Sequence, residues 1–235
     1  MSPPVVSWLI AIAVSIPAPL ALAEEKNPDP WEGLNRKVQK FNDAADRRLL
    51  KPIAKGYTKV VPRVLRRGVS NFFSNLTYPV VVVNQLLQGK LREGASDTGR
   101  FLFNSTVGIG GLFDPATRVG IARHEEDFGQ TLGKWGIYSG PYVVVPFLGP
   151  RTIRDGAGSF ADSYMFAPRY AEDETVRYGL TGLYFLDGRA ALLDVEELIS
   201  GDRYAFMRDA YLQRREYLVH DGDLEDAFLE DDWED

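Results

Sequence analysis

Residues 126–158, EDFGQTLGKWGIYSGPYVVVPFLGPRTIRDGAG, are the stretch on which the reading of the whole chain turns. Glycine falls at 129, 133, 136, 140, 149, 156 and 158, and proline at 141, 146 and 150. That density of backbone-loosening and backbone-restricting residues argues against an ordinary helix or strand. Composition argues equally against a solvated linker, because Trp135, Tyr142, Val143, Val144, Val145, Phe147 and Leu148 lie inside it. Such a segment packs against apolar material. Two readings stay open: a buried core loop, or a loop lining a pocket or pore. The spacing predicts that Gly129, Gly133, Gly136 and Gly140 let the stretch bend. Pro141, Pro146 and Pro150 then stiffen its far side around Tyr142.

Outward from this centre the pattern is helical. Leu34, Val38, Phe41 and Ala45 recur at helical spacing from a start near Trp31, and Ile53, Tyr57 and Val60 resume it after Pro52. Opposite them lie Arg36, Lys40, Arg47 and Lys51, and residues 36–67 hold eleven Lys/Arg against Asp43 and Asp46. In a chain of net charge −6, a basic amphipathic entry helix fits an anionic membrane surface or a solvated charged face. Pro79 suits the first turn of a helix running to Gln88 with Gly89 as its stop. A second helix spans 92–107, and a tight turn follows through Gly108–Pro115. Glu174–Ser200 and 203–219 read as helices, and the acidic segment from Asp221 reads as disordered. The fold class is mainly α in one domain, 24–220.

Residues 1–23 carry no charged side chain and end in Ala21-Leu22-Ala23, which predicts a signal peptide cut before Glu24. There is no cysteine, so disulfides, thiol catalysis and thiolate metal sites are excluded for this chain. The acidic balance does not suggest a nucleic-acid partner. His124 and His220 have no second histidine at metal-ligand spacing. Gly136–Gly140 is not a nucleophile elbow, and Gly108–Gly111 lacks the context of a dinucleotide loop. Arg154, Asp155 and Asp162 read as a structural pairing. The expectation is a non-enzyme with no cofactor and no metal. A lipid hydrolase would need Ser139 or Ser159 as nucleophile and one of the two histidines as base. A soluble periplasmic lipid-binding adaptor is the further alternative.

Several separated motifs resemble the MlaA (VacJ) family. They are Asp29-Pro30-Trp31-Glu32-Gly33-Leu34-Asn35-Arg36 with Phe41-Asn42, then Asn71-Phe72, Asn75-Leu76 and Pro79, then 83–89 (VNQLLQG). Arg100-Phe101, Asn104, 108–112 (GIGGL) and Asp114 continue the likeness, and 127–133 (DFGQTLG), Gly140-Pro141-Tyr142 and Arg154-Asp155 complete it over roughly 29–220. The resemblance implies an outer-membrane component of phospholipid trafficking in Gram-negative bacteria. It implies a helical ring in the inner leaflet with an amphipathic central channel that removes mislocalised outer-leaflet phospholipid and preserves lipid asymmetry. It further implies a periplasmic lipid-carrier protein as acceptor and trimeric porin as neighbour. The glycine- and proline-rich centre then lines the channel. Family members are commonly acylated on a cysteine after the signal. This chain has none, so attachment without an acyl anchor is expected.

Overall fold

The computed structural model describes residues 27–194 and 201–223. The signal-peptide reading, the helical continuation through Val195 and Leu198, and the acidic segment from Leu224 onward lie outside the described residues. The elements are α1 (Glu32–Ala45), α2 (Lys51–Val60), α3 (Arg63–Leu87), α4 (Leu91–Thr106), α5 (Pro115–Arg118) and α6 (Phe128–Lys134). Strands β1 (Tyr142–Val145) and β2 (Gly149–Thr152) follow, then α7 (Ile153–Asp162), α8 (Glu174–Ala191) and α9 (Arg203–Val219).

The expected break at Pro52 is absorbed rather than made. A π-helical turn, Asp46–Leu50, joins α1 to α2, and the Lys51 amide reaches back to the Asp46 carbonyl. The wider turn accommodates a residue that cannot donate within an α-helix. Pro79 does not begin a helix: α3 runs for 25 residues from Arg63, with Pro79 inside it. Its packing holds the helix through that position. Asn71 and Asn75, on one face, reach Leu112 and Ser105 respectively, so tertiary contacts offset the lost backbone bond. At the far end the Lys90 amide bonds the Gln85 carbonyl and the Gly89 amide bonds Leu86, around Gly89 at φ +78°. That paired arrangement terminates the helix with a left-handed glycine.

The central stretch is more regular than its composition suggests. It forms α6, the antiparallel β1–β2 hairpin and most of α7, with Tyr142 opposite Thr152 and Val145 opposite Gly149. Short elements tolerate the glycines because each is pinned from outside, as described below. Capping also favours them: Asp127 accepts from Gln130 N at 2.8 Å, and Thr152 Oγ1 accepts from Asp155 N at 3.2 Å.

Contacts between elements close into a circuit. α2 packs on α8, α8 on α3, α3 on α6, α6 on α9, α9 on β2, and β1 on α1, which leads back to α2. α4 lies against α3, and α7 against α6. The chain is therefore a mainly α, single-domain helical ring whose first and last helices meet through the hairpin. The apolar cluster at that meeting point is Tyr142, Val144 and Tyr204, with Val38, Tyr211 and Leu212 against it.

Candidate functional site

The crossing of α6 and α7 is made by two glycines. A Cβ placed on Gly158 would stand 2.3 Å from the Gly129 nitrogen, so the two backbones touch. Arg215 of α9 ties the crossing together. Its Nη1 donates to Asp127 Oδ2 at 2.6 Å, and its Nη2 donates to Asp127 Oδ1 at 2.9 Å and Asp155 Oδ1 at 3.0 Å. Tyr211 donates to the other Asp155 oxygen at 2.9 Å. Burial opposes ionisation of Asp127, but the bonds and charge of Arg215 and the Gln130 amide outweigh it, so the carboxyl is held below the usual range. Gly133 lies one turn on, where a Cβ would press on Arg154 Nη1 and on Val219. Gly129 and Gly133 thus sit inside a packed helix.

Beyond α6 the backbone changes character. Trp135, Gly136, Ile137 and Tyr138 are exposed, and Gly136 and Gly140 have φ of +82° and +70°. That region of backbone space is closed to most L-residues, so glycine is needed here for conformation. No atom lies within 4 Å of a Cβ at Gly136, whereas at Gly140 it would meet Ile153 at 3.1 Å. Pro141 leads into Tyr142, which is fully buried, its hydroxyl pushed up to about 12 by burial and nearby Asp29. Pro146, Phe147 and Leu148 are exposed at the hairpin tip.

Two asparagines of α1, seven residues apart and so on one helix face, hold the hairpin. Asn35 accepts from Val144 N at 2.9 Å and donates to Tyr142 O at 3.0 Å and to Asp29 Oδ1 at 2.8 Å. Asn42 donates to Val145 O at 3.1 Å and accepts from Phe147 N at 2.9 Å. Phe41 meets Phe147 edge-on with ring centroids 5.3 Å apart. The sequence carries a signal for this pair: two amides at helical spacing beside an apolar stripe, a pattern used to satisfy a strand edge.

The basic face of α1 and α2 divides. Arg36 is committed to Glu32 and Asp202 and lies over the Tyr204 ring at 4.3 Å. Lys51 is half-buried, whereas Lys40 and Arg47 are exposed. Acids of the same region clasp α8 and α9: Asp46 takes a two-pronged bond from Arg189 at 2.6 and 2.8 Å, and buried Asp29 accepts from the Tyr204 hydroxyl. Arg154 pairs with Asp155 at 3.2 Å, while Asp162 accepts instead from Asn84 and the Phe128 amide. Among the described residues, the Ser139 hydroxyl bonds Gly140 O, His124 bonds Asp97 and His220 bonds Glu216. Neither histidine is a partner of either candidate serine.

Residues 27–218 match the family model described as MlaA lipoprotein. The chain belongs to the MlaA lipoprotein family. It is 36% identical over 211 residues to the intermembrane phospholipid transport system lipoprotein MlaA of Escherichia coli (strain K12), covering 86% of this chain and 82% of that one. It is 33% identical over 209 residues to the Haemophilus influenzae protein of the same description, covering 85% and 82%. Its fold matches a chain solved in work on the structural basis for maintenance of bacterial outer membrane lipid asymmetry. That match has a TM-score of 0.72 at 37% identity, over 81% of this chain and 98% of the other.

This MlaA family member inverts the usual placement of polar and apolar side chains. The largest fully buried side chains among the described residues are Arg100, Tyr142, Gln85, Asn84, Thr131, Thr152, Asp29 and Asp97, mostly polar or charged. Leu34, Phe41, Leu49, Ile53, Val60, Val64 and Leu65 are exposed along α1–α3, and Leu102, Val107, Ile109, Leu112 and Phe113 beyond. Exposed apolar surface on this scale marks an interaction surface. No helix of the described residues is long and apolar enough to cross a membrane.

Proposed function

We propose that this chain takes phospholipid from the outer leaflet of the outer membrane, without catalysing a reaction, and passes it to a periplasmic lipid-carrier protein. The direction is outer to inner membrane, and the result is preserved lipid asymmetry. One observation carries the reading: a ring of helices with exposed apolar side chains and buried, largely hydrogen-bonded polar ones, in a family whose relatives are named for intermembrane phospholipid transport. An apolar exterior without a spanning helix suits a ring seated at the depth of one leaflet. Irregular backbone at that depth is tolerated only where it is buried or lines a water-filled passage. The loop from Trp135 to Pro141 and the hairpin behind it therefore line the passage. Gly136 and Gly140 are its flexing points, Pro141 and Pro146 bound the strand that begins at Tyr142, and Gly129 and Gly133 hold its base. Lys40 and Arg47 meet lipid phosphates, with Arg36 and Lys51 steadying the same sector. A trimeric porin beside the ring holds it in place.

The test is the amount of phospholipid on the cell surface, read by a membrane-impermeant amine reagent in cells with and without this chain. Labelled aminophospholipid rises when the chain is removed and returns with the wild type. Unchanged labelling overturns the proposal. Recovery of the chain in the soluble periplasmic fraction, with labelling that still responds, replaces the membrane ring by a soluble adaptor.

A further inference from the structure

Helix α3 ends beside the base of the loop that follows α6, and its last carbonyls show how the two are joined. The amides of Gln88, Gly89 and Lys90 turn back onto the carbonyls of Asn84, Leu86 and Gln85. The carbonyl of Leu87 is taken instead by the Trp135 indole, whose Nε1 donates to it at 3.1 Å. A helix leaves its last carbonyls without donors of its own, so a side chain from another element can complete the end.

α3 grips α6 at both ends, and the two grips differ. Near the start of α6, Gln88 Nε2 donates to Glu126 Oε2 at 2.7 Å and to Thr131 Oγ1 at 3.1 Å, and Thr131 Oγ1 donates to Asn84 Oδ1 at 2.7 Å. Asn84, Glu126 and Thr131 are buried, so opening this grip strands polar groups away from water. At the far end Trp135 is 52% exposed, and water replaces its bond when it opens. The Phe128 ring meets Trp135 edge-on with centroids 6.0 Å apart, which guides the indole back. Gly136 follows at φ +82° with no atom within 4 Å of a Cβ, so the backbone turns there without collision. Beyond it Arg154 ties the loop to α7, its Nη1 donating to Ile137 O at 3.2 Å and its amide to Ser139 O at 3.0 Å. Trp135 is thus the loop's tie to α3, and the end of α6 that leads into the loop releases before the other.

We propose that Trp135 is the latch of this loop. With its indole on Leu87 O, the α3 side of the loop is closed. With the bond open, Trp135 turns out about Gly136 and the passage widens between α3 and the loop. Trp135 is a positioning residue, acting through the loop rather than on a lipid. The proposal rests on the transport reading above and adds to it the contact that regulates passage.

Hydrogen exchange of the purified full chain tests the latch. Trp135→Phe keeps a ring against Phe128 and removes the donor. In it the Gly136 and Ile137 amides exchange about fivefold faster than in the wild type, the ratio set by one ordinary hydrogen bond of about 1 kcal/mol. The amides of α6 and the melting temperature stay as they were. Unchanged exchange, or a rise shared by all of α6 with a lower melting temperature, overturns the proposal. In cells, Leu87→Cys with Trp135→Cys places two cysteines in a chain that has no others, and a short bismaleimide with a cleavable linker joins them. Joining raises surface phospholipid to the level seen without the chain, and cleavage returns it. Surface phospholipid that ignores joining, in cells where it responds to removal of the chain, overturns the latch as well. Labelling that does not respond to removal of the chain sinks the transport reading alone, and the exchange result then decides the latch by itself.

Discussion

The α6–α7 crossing and the loop-and-hairpin that joins those helices are drawn from one glycine-rich stretch, yet they use glycine oppositely. At the crossing, Gly158 and Gly129 are small so that backbones can touch, and Arg215 locks them through the buried Asp155 and the half-buried Asp127. In the loop, Gly136 faces open space, and what it supplies is a positive φ. The crossing is over-determined by contacts, whereas the loop is held by single bonds, Trp135 Nε1 donating to Leu87 O and Arg154 donating to the carbonyls of Ile137 and Ser139, and the hairpin is held from one side by Asn35 and Asn42. Composition alone therefore says little about stiffness; the neighbours decide it.

The sharpest way to break this comparison is Arg215→Met. It removes both bonds to Asp127 and the bond to Asp155, which is 3% exposed and keeps Arg154 and Tyr211. Breaking such a buried pair costs about 4 kcal/mol, read in chemical or thermal unfolding. The acid limb changes too. Asp127 titrates lower in the folded protein than in the unfolded one, so the unfolded state takes up the proton first. Its stabilisation is complete above about pH 4 and is lost as pH falls through the folded value. In Arg215→Met this part of the acid limb disappears. A variant as stable as the wild type at neutral pH would show the crossing to be held by its glycines alone.

Gly158→Ala comes next. Its methyl group meets backbone rather than a yielding side chain, so the helices must part, at about 3 kcal/mol. For a chain of this size that lowers the melting temperature by roughly 10 °C. Gly136→Ala has the smallest effect on stability, about 1 kcal/mol for an alanine held at positive φ. It is also the one that changes surface phospholipid, because it stiffens the loop while the protein still folds. A stability loss equal to that of Gly158→Ala erases the distinction between the regions. Normal stability with unchanged surface phospholipid removes Gly136 from the moving parts.

Elements whose signals are local were legible in advance. Helix α9 runs from Arg203 to Val219 as its spacing predicts, and α4 ends within a residue of its expected bounds. Asp173 and Asp202 cap the helices they precede, accepting from Val176 and Tyr204 amides. The start of α3 was not legible, because proline propensity at 79 is a local cost overruled by distant packing. Nor was the order within 126–158: short elements there depend on α1 and α9 rather than on their own periodicity. Asp221 belongs to the folded part, fixed by Lys90 and Lys134, although its neighbours in sequence read as an acidic tail.

By itself the sequence determined the helical class, the missing thiols and the family likeness, all properties of residue type at short spacing. Only the tertiary structure decided which charges are spent and which remain available. Arg36 and Lys40 are alike in sequence, yet the first is committed to Asp202 and the second is exposed. Glu93 and Glu126 both border one cavity, yet only Glu126 has found its lysine. Electrostatic pairing falls with distance through space, and space brings together residues such as Asp46 and Arg189, or Asp127 and Arg215, that the chain keeps far apart.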